Sequence, residues 1–104
     1  MIIYVYQNGK EIIMFYLNQF SNDKYKVLKF LYDNEIKVKK DSYISLSQQE
    51  IADMLHYSKN KTNKYMQELK KENFIEMYRN MKGKYVITNQ GYKVIKLMEK
   101  KYEK

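Results

Sequence analysis

Two helix starts stand close together in the middle of this chain, and their spacing restricts the fold more than any other feature. Ser47-Gln-Gln-Glu50 fits a capping box, in which a serine oxygen and the glutamate three residues on satisfy unpaired amides reciprocally. Ile51, Ala52, Met54 and Leu55 follow as the apolar face of a short helix. His56-Tyr57 must then be a turn, because Ser58 supplies the next N-cap. From Ser58 to about Glu72 a second helix buries Thr62, Met66 and Leu69, with Tyr65 at its margin. Asn73 comes where a helix needs a left-handed residue, a place Asn tolerates.

Downstream, Phe74–Arg79 and Lys84–Thr88 read as two short strands around the turn Asn80-Met81-Lys82-Gly83. Thr88 or Asn89 caps a last helix, on which Val94, Ile95, Leu97, Met98 and Tyr102 form a broad apolar stripe. Upstream, Ile2–Tyr6 and Glu11–Tyr16 flank Gln7-Asn8-Gly9-Lys10, and Asn-Gly is a strong hairpin signal. A buried helix over Lys10–Phe20 is the alternative. Ser21-Asn22-Asp23 caps a helix whose stripe of Tyr25, Leu28, Leu31, Tyr32 and Ile36 runs to about residue 36. Lys37–Asp41 reads as a polar connection and Tyr43–Leu46 as a short extended segment. The expected class is α+β, mainly α. It would be one domain over 1–104, with an N-terminal β-hairpin (or helix) arm at 1–20, a central unit at 21–88 and a C-terminal helix at 89–104.

Several function classes are excluded. Without cysteine there are no disulfides and no thiolate metal sites. His56 is the one histidine and has no ligating neighbours in sequence, so it reads as a turn residue and no metal or cofactor is expected. No Gly-rich phosphate loop, nucleophile elbow or paired-carboxylate spacing is present, so the chain does not read as an enzyme. The longest apolar run, Ile12 to Leu17, is too short for a membrane span, and Met1–Tyr6 lacks the pattern of a secretory signal. A cytoplasmic location is the expectation.

The net charge is +8, unevenly spread. Residues 1–46 carry seven basic and five acidic groups, whereas 47–104 carry thirteen basic and seven acidic. Such a half suits a polyanionic partner, because each neutralised phosphate releases counterions. A solvated lysine surface would look the same by charge alone. Nineteen of the twenty basic residues are lysine, a bias that fits an AT-rich genome.

The order helix, helix, strand–turn–strand suits nucleic acid for a physical reason: a helix fits the major groove, and its first turns face the base edges. The run Ser47-Gln-Gln-Glu-Ile-Ala-Asp-Met-Leu55, then Ser58-Lys-Asn-Lys-Thr-Asn-Lys-Tyr-Met-Gln-Glu-Leu69, resembles the helix-turn-helix of winged-helix regulators, including MarR-like ones. Glu72-Asn-Phe-Ile75, Gly83-Lys-Tyr-Val-Ile-Thr88 and Gly91 continue the resemblance, which covers about residues 25–98. Asn73 departs from the usual Gly, Thr62 from Val or Ile and Lys64 from a common Arg, and the wing is short.

The resemblance implies a winged helix-turn-helix that binds double-stranded DNA as a homodimer, most often for transcription regulation. Its polar recognition face would be Lys59, Asn60, Lys61, Asn63, Lys64 and Gln67, with Ser47 at the start of the preceding helix. Asn and Gln pair bidentately with adenine, and the face lacks arginine, so an A·T-rich target is expected. Arg79, Lys82 and Lys84 would serve the wing, on the backbone or in the minor groove. Alternatives on the same fold are a plasmid or phage replication protein, or a TubR-like centromere-binding adaptor for partition with a partner protein. Such proteins would be nucleoid- or plasmid-associated. A scaffold for protein interactions without DNA is a further alternative. The tyrosines and seven methionines read as core and interface filler.

Overall fold

The computed structural model describes residues 22–102, and side chains as far as Lys100. The arm expected over residues 1–20 lies outside the described residues. Among the described residues four helices and four strands follow in order: α1 (Asn22–Asp33), β1 (Ile36–Val38), β2 (Asp41–Ser45), α2 (Gln48–Leu55), α3 (Lys59–Lys71), β3 (Ile75–Met77), β4 (Lys84–Ile87) and α4 (Asn89–Tyr102). A 3₁₀ turn, Tyr78–Asn80, follows β3. The sheet is antiparallel in the order β1-β2-β4-β3. This is a winged-helix α+β fold.

The caps form as the sequence dictates. Ser47 Oγ accepts from the Glu50 N–H at 3.1 Å, and Glu50 Oε1 accepts from the Ser47 N–H at 2.9 Å. α2 then ends on His56, whose φ of 59° is left-handed. At the end of α3, Asn73 takes φ 65°, its N–H donates to the Lys70 carbonyl and the Phe74 N–H donates to the Leu69 carbonyl. That pair of bonds is a Schellman closure built without glycine. α4 starts at Thr88, whose Oγ1 accepts from the Gly91 N–H at 3.0 Å.

One face of the sheet lies on the helices. Ile44 of β2, Tyr85 and Ile87 of β4 and Ile75 of β3 are buried with Val27, Leu28 and Leu31 of α1, Ile51 of α2, Met66 and Leu69 of α3, and Val94, Ile95 and Met98 of α4. Burying such a side chain contributes about 1.5–3 kcal/mol. Truncating Ile51 or Met66 to alanine would therefore cost about 2–5 kcal/mol, because it leaves a cavity as well.

Three expectations need correction. α1 stops at Asp33, where the Asn34 side-chain amide donates to the Phe30 carbonyl at 2.7 Å and the Asn34 N–H donates to Leu31. Its buried set is Lys24, Val27, Leu28 and Leu31, while Ile36 stands 46% exposed on β1. Lys37–Asp41 is no mere connection: β1 and β2 form a hairpin about Lys39-Lys40, with Val38 opposite Asp41 and Lys39 at φ 58°. Met54, assigned to the apolar face of α2, is 65% exposed. Ile51 and Ala52 alone on α2 are fully covered, because the helix is too short to bury a wider stripe.

Candidate nucleic-acid interface

α3 is the element on which the candidate residues converge. Ser58 is extended, and its Oγ accepts from the Lys61 N–H at 3.0 Å. Thr62 sits buried beneath it and donates its hydroxyl to the Ser58 carbonyl at 3.0 Å. A threonine there costs no unsatisfied polar group and adds a second tie to the first turn.

Lys59, Asn60, Asn63, Lys64 and Gln67 are all exposed on α3. At 100° per residue, Asn60, Asn63, Lys64 and Gln67 fall on one face, with Lys59 on its flank. Lys71 continues that face at its far end, and sequence reasoning passed over it. Lys64 holds its ammonium 5.7 Å from the Tyr65 ring centre. Ser47 stands exposed one helix earlier, at the start of α2.

Lys61 is placed differently. Its ammonium lies 2.7 Å from Asp23 Oδ2 and 4.2 Å above the Tyr57 ring, so it is turned toward α1. Tyr57 donates its hydroxyl to the other Asp23 oxygen at 3.1 Å. The bonds from Lys61 and then Tyr57 hold the Asp23 carboxyl below its ordinary range. Burial and the bond to Asp23 push Tyr57 up to about 12.

Glu68 of α3 and Glu72 at its C-cap are also tied to α1. Glu68 and Glu72 both pair with the buried Lys24 of α1, Glu68 at 3.2 Å. The negative charge at the far end of α3 is thus partly offset, two carboxylates sharing one ammonium, while Lys59 and Lys64 stand exposed at its start. Sequence reading could not find Asp23, Lys24 or Tyr57, whose partners lie far along the chain.

The wing spans Tyr78 to Lys84. Arg79 and Asn80 adopt φ of 47° and 58°, and Gly83 adopts 81°. Tyr78 stacks on Tyr43 with ring centres 4.6 Å apart, and Lys84 sits 5.2 Å over Tyr43. Asp41 accepts from the Tyr78 hydroxyl at 2.7 Å and from Arg79 at 3.0 Å. The bond to Asp41 raises the Tyr78 hydroxyl above its ordinary value. Lys82 is exposed at the tip. The structure therefore brings Arg79, Lys82 and Lys84 together on the wing, with Asp41 as an unforeseen anchor.

Among the described residues no group of three or more His, Cys, Asp or Glu side chains could hold a metal ion. No helix among them is long and apolar enough to cross a membrane. The stripe of α4 is largely consumed by the core, since Val94, Ile95 and Met98 are buried and Leu97 is half-buried.

A family model described as a Crp-like helix-turn-helix domain matches residues 26–91. No curated protein sequence matches the chain. Among solved structures, the reduced CO-sensing protein from R. rubrum is similar at 19% identity and a TM-score of 0.64, over 82% of this chain and 41% of that one. The S. aureus MepR–DNA complex is similar at 20% identity and a TM-score of 0.65, over 90% and 66%. Reduced MarR from E. coli is similar at 14% and 0.59, over 93% and 73%. At these identities the likeness is one of fold. The chain spans less than half the length of the R. rubrum protein and about two thirds of MepR.

Proposed function

This chain belongs to the Crp-like helix-turn-helix domain family, and on that premise we propose that it binds double-stranded DNA and regulates transcription, with no catalysis of its own. The observation that carries the reading is the outward face of α3. Its first turns present Lys59, Asn60, Asn63 and Lys64, while Glu68 and Glu72 are drawn back onto Lys24. A capped helix with cations and amides at its start, and its acids at the far end tied to a lysine of α1, suits entry into a major groove by its N-terminus.

In this reading α3 reads bases, and Ser47 at the start of α2 meets the backbone. Arg79, Lys82 and Lys84 lie along the backbone or minor groove. Two copies act on a two-fold or repeated site, which is A·T-rich, in the cytoplasm on the nucleoid. MepR, similar in fold, is described in complex with DNA.

Selection from random duplex oligonucleotides tests the reading, with binding followed over a salt series. A defined motif and a steep loss of affinity with salt are expected. Retention of no duplex even at low salt would overturn it. Sedimentation at micromolar concentration, alone and on the selected duplex, tests the dimer; a monomer in both states would refute that part.

A further inference from the structure

We propose that Asp23 is a positioning residue for α3, holding the start of that helix at the angle from which Asn60 and Asn63 reach bases. The proposal rests on the DNA-binding reading above. Asp23 lies in the first turn of α1 and uses both carboxylate oxygens, one on Lys61 at 2.7 Å and one on the Tyr57 hydroxyl at 3.1 Å. Lys61 also lies 4.2 Å over the Tyr57 ring. The three side chains thus close a ring of contacts. It joins α1, the turn between α2 and α3, and the first turn of α3.

A lone ion pair at this exposure contributes little. This one differs because the carboxylate ties two elements at once, and because the neighbouring Lys24 grips the other end of α3 through Glu68 and Glu72. α1 holds the helix at both ends, and Asp23 governs the end that faces the groove. Lys61 lies 100° round the helix from Asn60 and is engaged inward, so its charge serves the clamp and not a phosphate. Bidentate pairing of an amide with a base edge depends on angle, so a loosened start of α3 loses sequence discrimination before it loses affinity for DNA in general.

The test compares the duplex that the wild-type protein selects with a random duplex of equal length, over a salt series. Asp23→Ala should lower the ratio of selected to random affinity about tenfold, the size of one lost base contact. Affinity for random DNA should hold or rise, because a negative charge is removed. Asp23→Glu should recover most of the ratio. Lys61→Met should lower the ratio and leave the salt slope unchanged.

A Lys61→Met protein whose slope flattens by about one, with its ratio intact, would make Lys61 a phosphate contact and overturn the proposal. Equal tightening on both duplexes by Asp23→Ala would overturn it too, leaving Asp23 as a repelling charge alone. If Asp23→Ala loses its helical circular dichroism, Tyr57→Phe decides, since it keeps the ring: a lowered ratio supports the clamp and an unchanged one refutes it. A wild-type protein that selects no duplex overturns the DNA-binding reading itself before any variant is compared, and the clamp's role with it.

Discussion

The Arg79 guanidinium is folded back onto its own sheet, with Nη2 3.0 Å from Asp41 Oδ2, the oxygen that also accepts the Tyr78 hydroxyl at 2.7 Å. The backbone at this point is strained. Arg79 and Asn80 are consecutive left-handed residues without a glycine; Asn tolerates that region, but Arg79 costs about 1 kcal/mol or more there. Asp41 holds that strained turn in place from the neighbouring hairpin. Arg79 remains 69% exposed in its side chain, so its outer N–H groups can still meet a groove while the inner one is fixed.

Asp41→Ala should therefore loosen the wing without melting the domain. The Met81 N–H, which donates to the Tyr78 carbonyl at 2.8 Å, and the Lys84 N–H, which donates to Met81, should exchange with solvent faster. Ile51 N–H in α2 should keep its protection. Unchanged exchange at Met81 would show that the wing does not depend on Asp41.

The two serine caps should each carry measurable stability. Ser47→Ala removes one half of the capping box and should cost about 1 kcal/mol, read from the denaturant midpoint. Ser58→Ala should cost a similar amount. A change of a few tenths in either would mean that the helix start is held by tertiary contacts instead.

What the sequence disclosed and what it hid divide by distance along the chain. Ser47, Ser58, Asn73 and Thr88 were readable because a cap is settled within about four residues. Thr62, Met66 and Leu69 were readable by period. The Lys39-Lys40 hairpin was not, since two lysines carry no turn signature, and Lys39 enters the left-handed region only because β1 and β2 pair. Ile36 looked like the next rung of a helix that Asn34 had already ended. The site was half legible. Lys59, Asn60, Asn63, Lys64 and Gln67 share a face as helical spacing requires, whereas Lys61 belongs by sequence to the same run and is claimed by Asp23.

Gly91 and Gly83 should fail differently when replaced by alanine. At Gly91 a Cβ would collide with the Phe74 carbonyl oxygen and with Ile87 Cγ2, where α4 crosses the end of α3 and β4. Backbone cannot yield as a side-chain tip can, so the cost should be about 3 kcal/mol or more. At Gly83 a Cβ meets open space, and only the φ of 81° is strained, for about 1 kcal/mol. Equal melting temperatures for the two variants would refute the close packing at Gly91.

The clamp at Asp23 should also leave a mark at both ends of the pH scale. Tyr57 is pushed up to about 12, against about 10 for an unfolded tyrosine, so the fold favours the protonated phenol. That contribution is present below about pH 10 and is lost as pH rises from there to about 12. Asp23 is shifted the other way, so its contribution is present above about pH 4 and is lost as pH falls through its lower folded value. Tyr57→Phe should flatten the alkaline limb of stability against pH, and Asp23→Asn the acid limb. Limbs parallel to the wild-type protein's would show that neither group is coupled to folding.

The last expectation concerns which DNA is read. Asn60, Asn63 and Gln67 stand exposed on one face of α3, and their bidentate partners in a major groove are adenines. Lys59 and Lys64 can donate to guanine or to phosphate, but Lys61 is engaged with Asp23, so the cationic part of the face is smaller than its composition suggests. Arg79, the one arginine, sits on the wing, where a narrow A-tract groove would attract it. The selected motif should therefore be A·T-rich. Asn60→Ala or Asn63→Ala should each cost about 1–3 kcal/mol on that motif and spare random DNA, as a lost base contact does. Small losses on both duplexes would mean that the asparagines face solvent in the complex. Selection of a G·C-rich motif would refute the adenine preference and pass the reading to Lys59 and Lys64, with α3 still the helix in the groove.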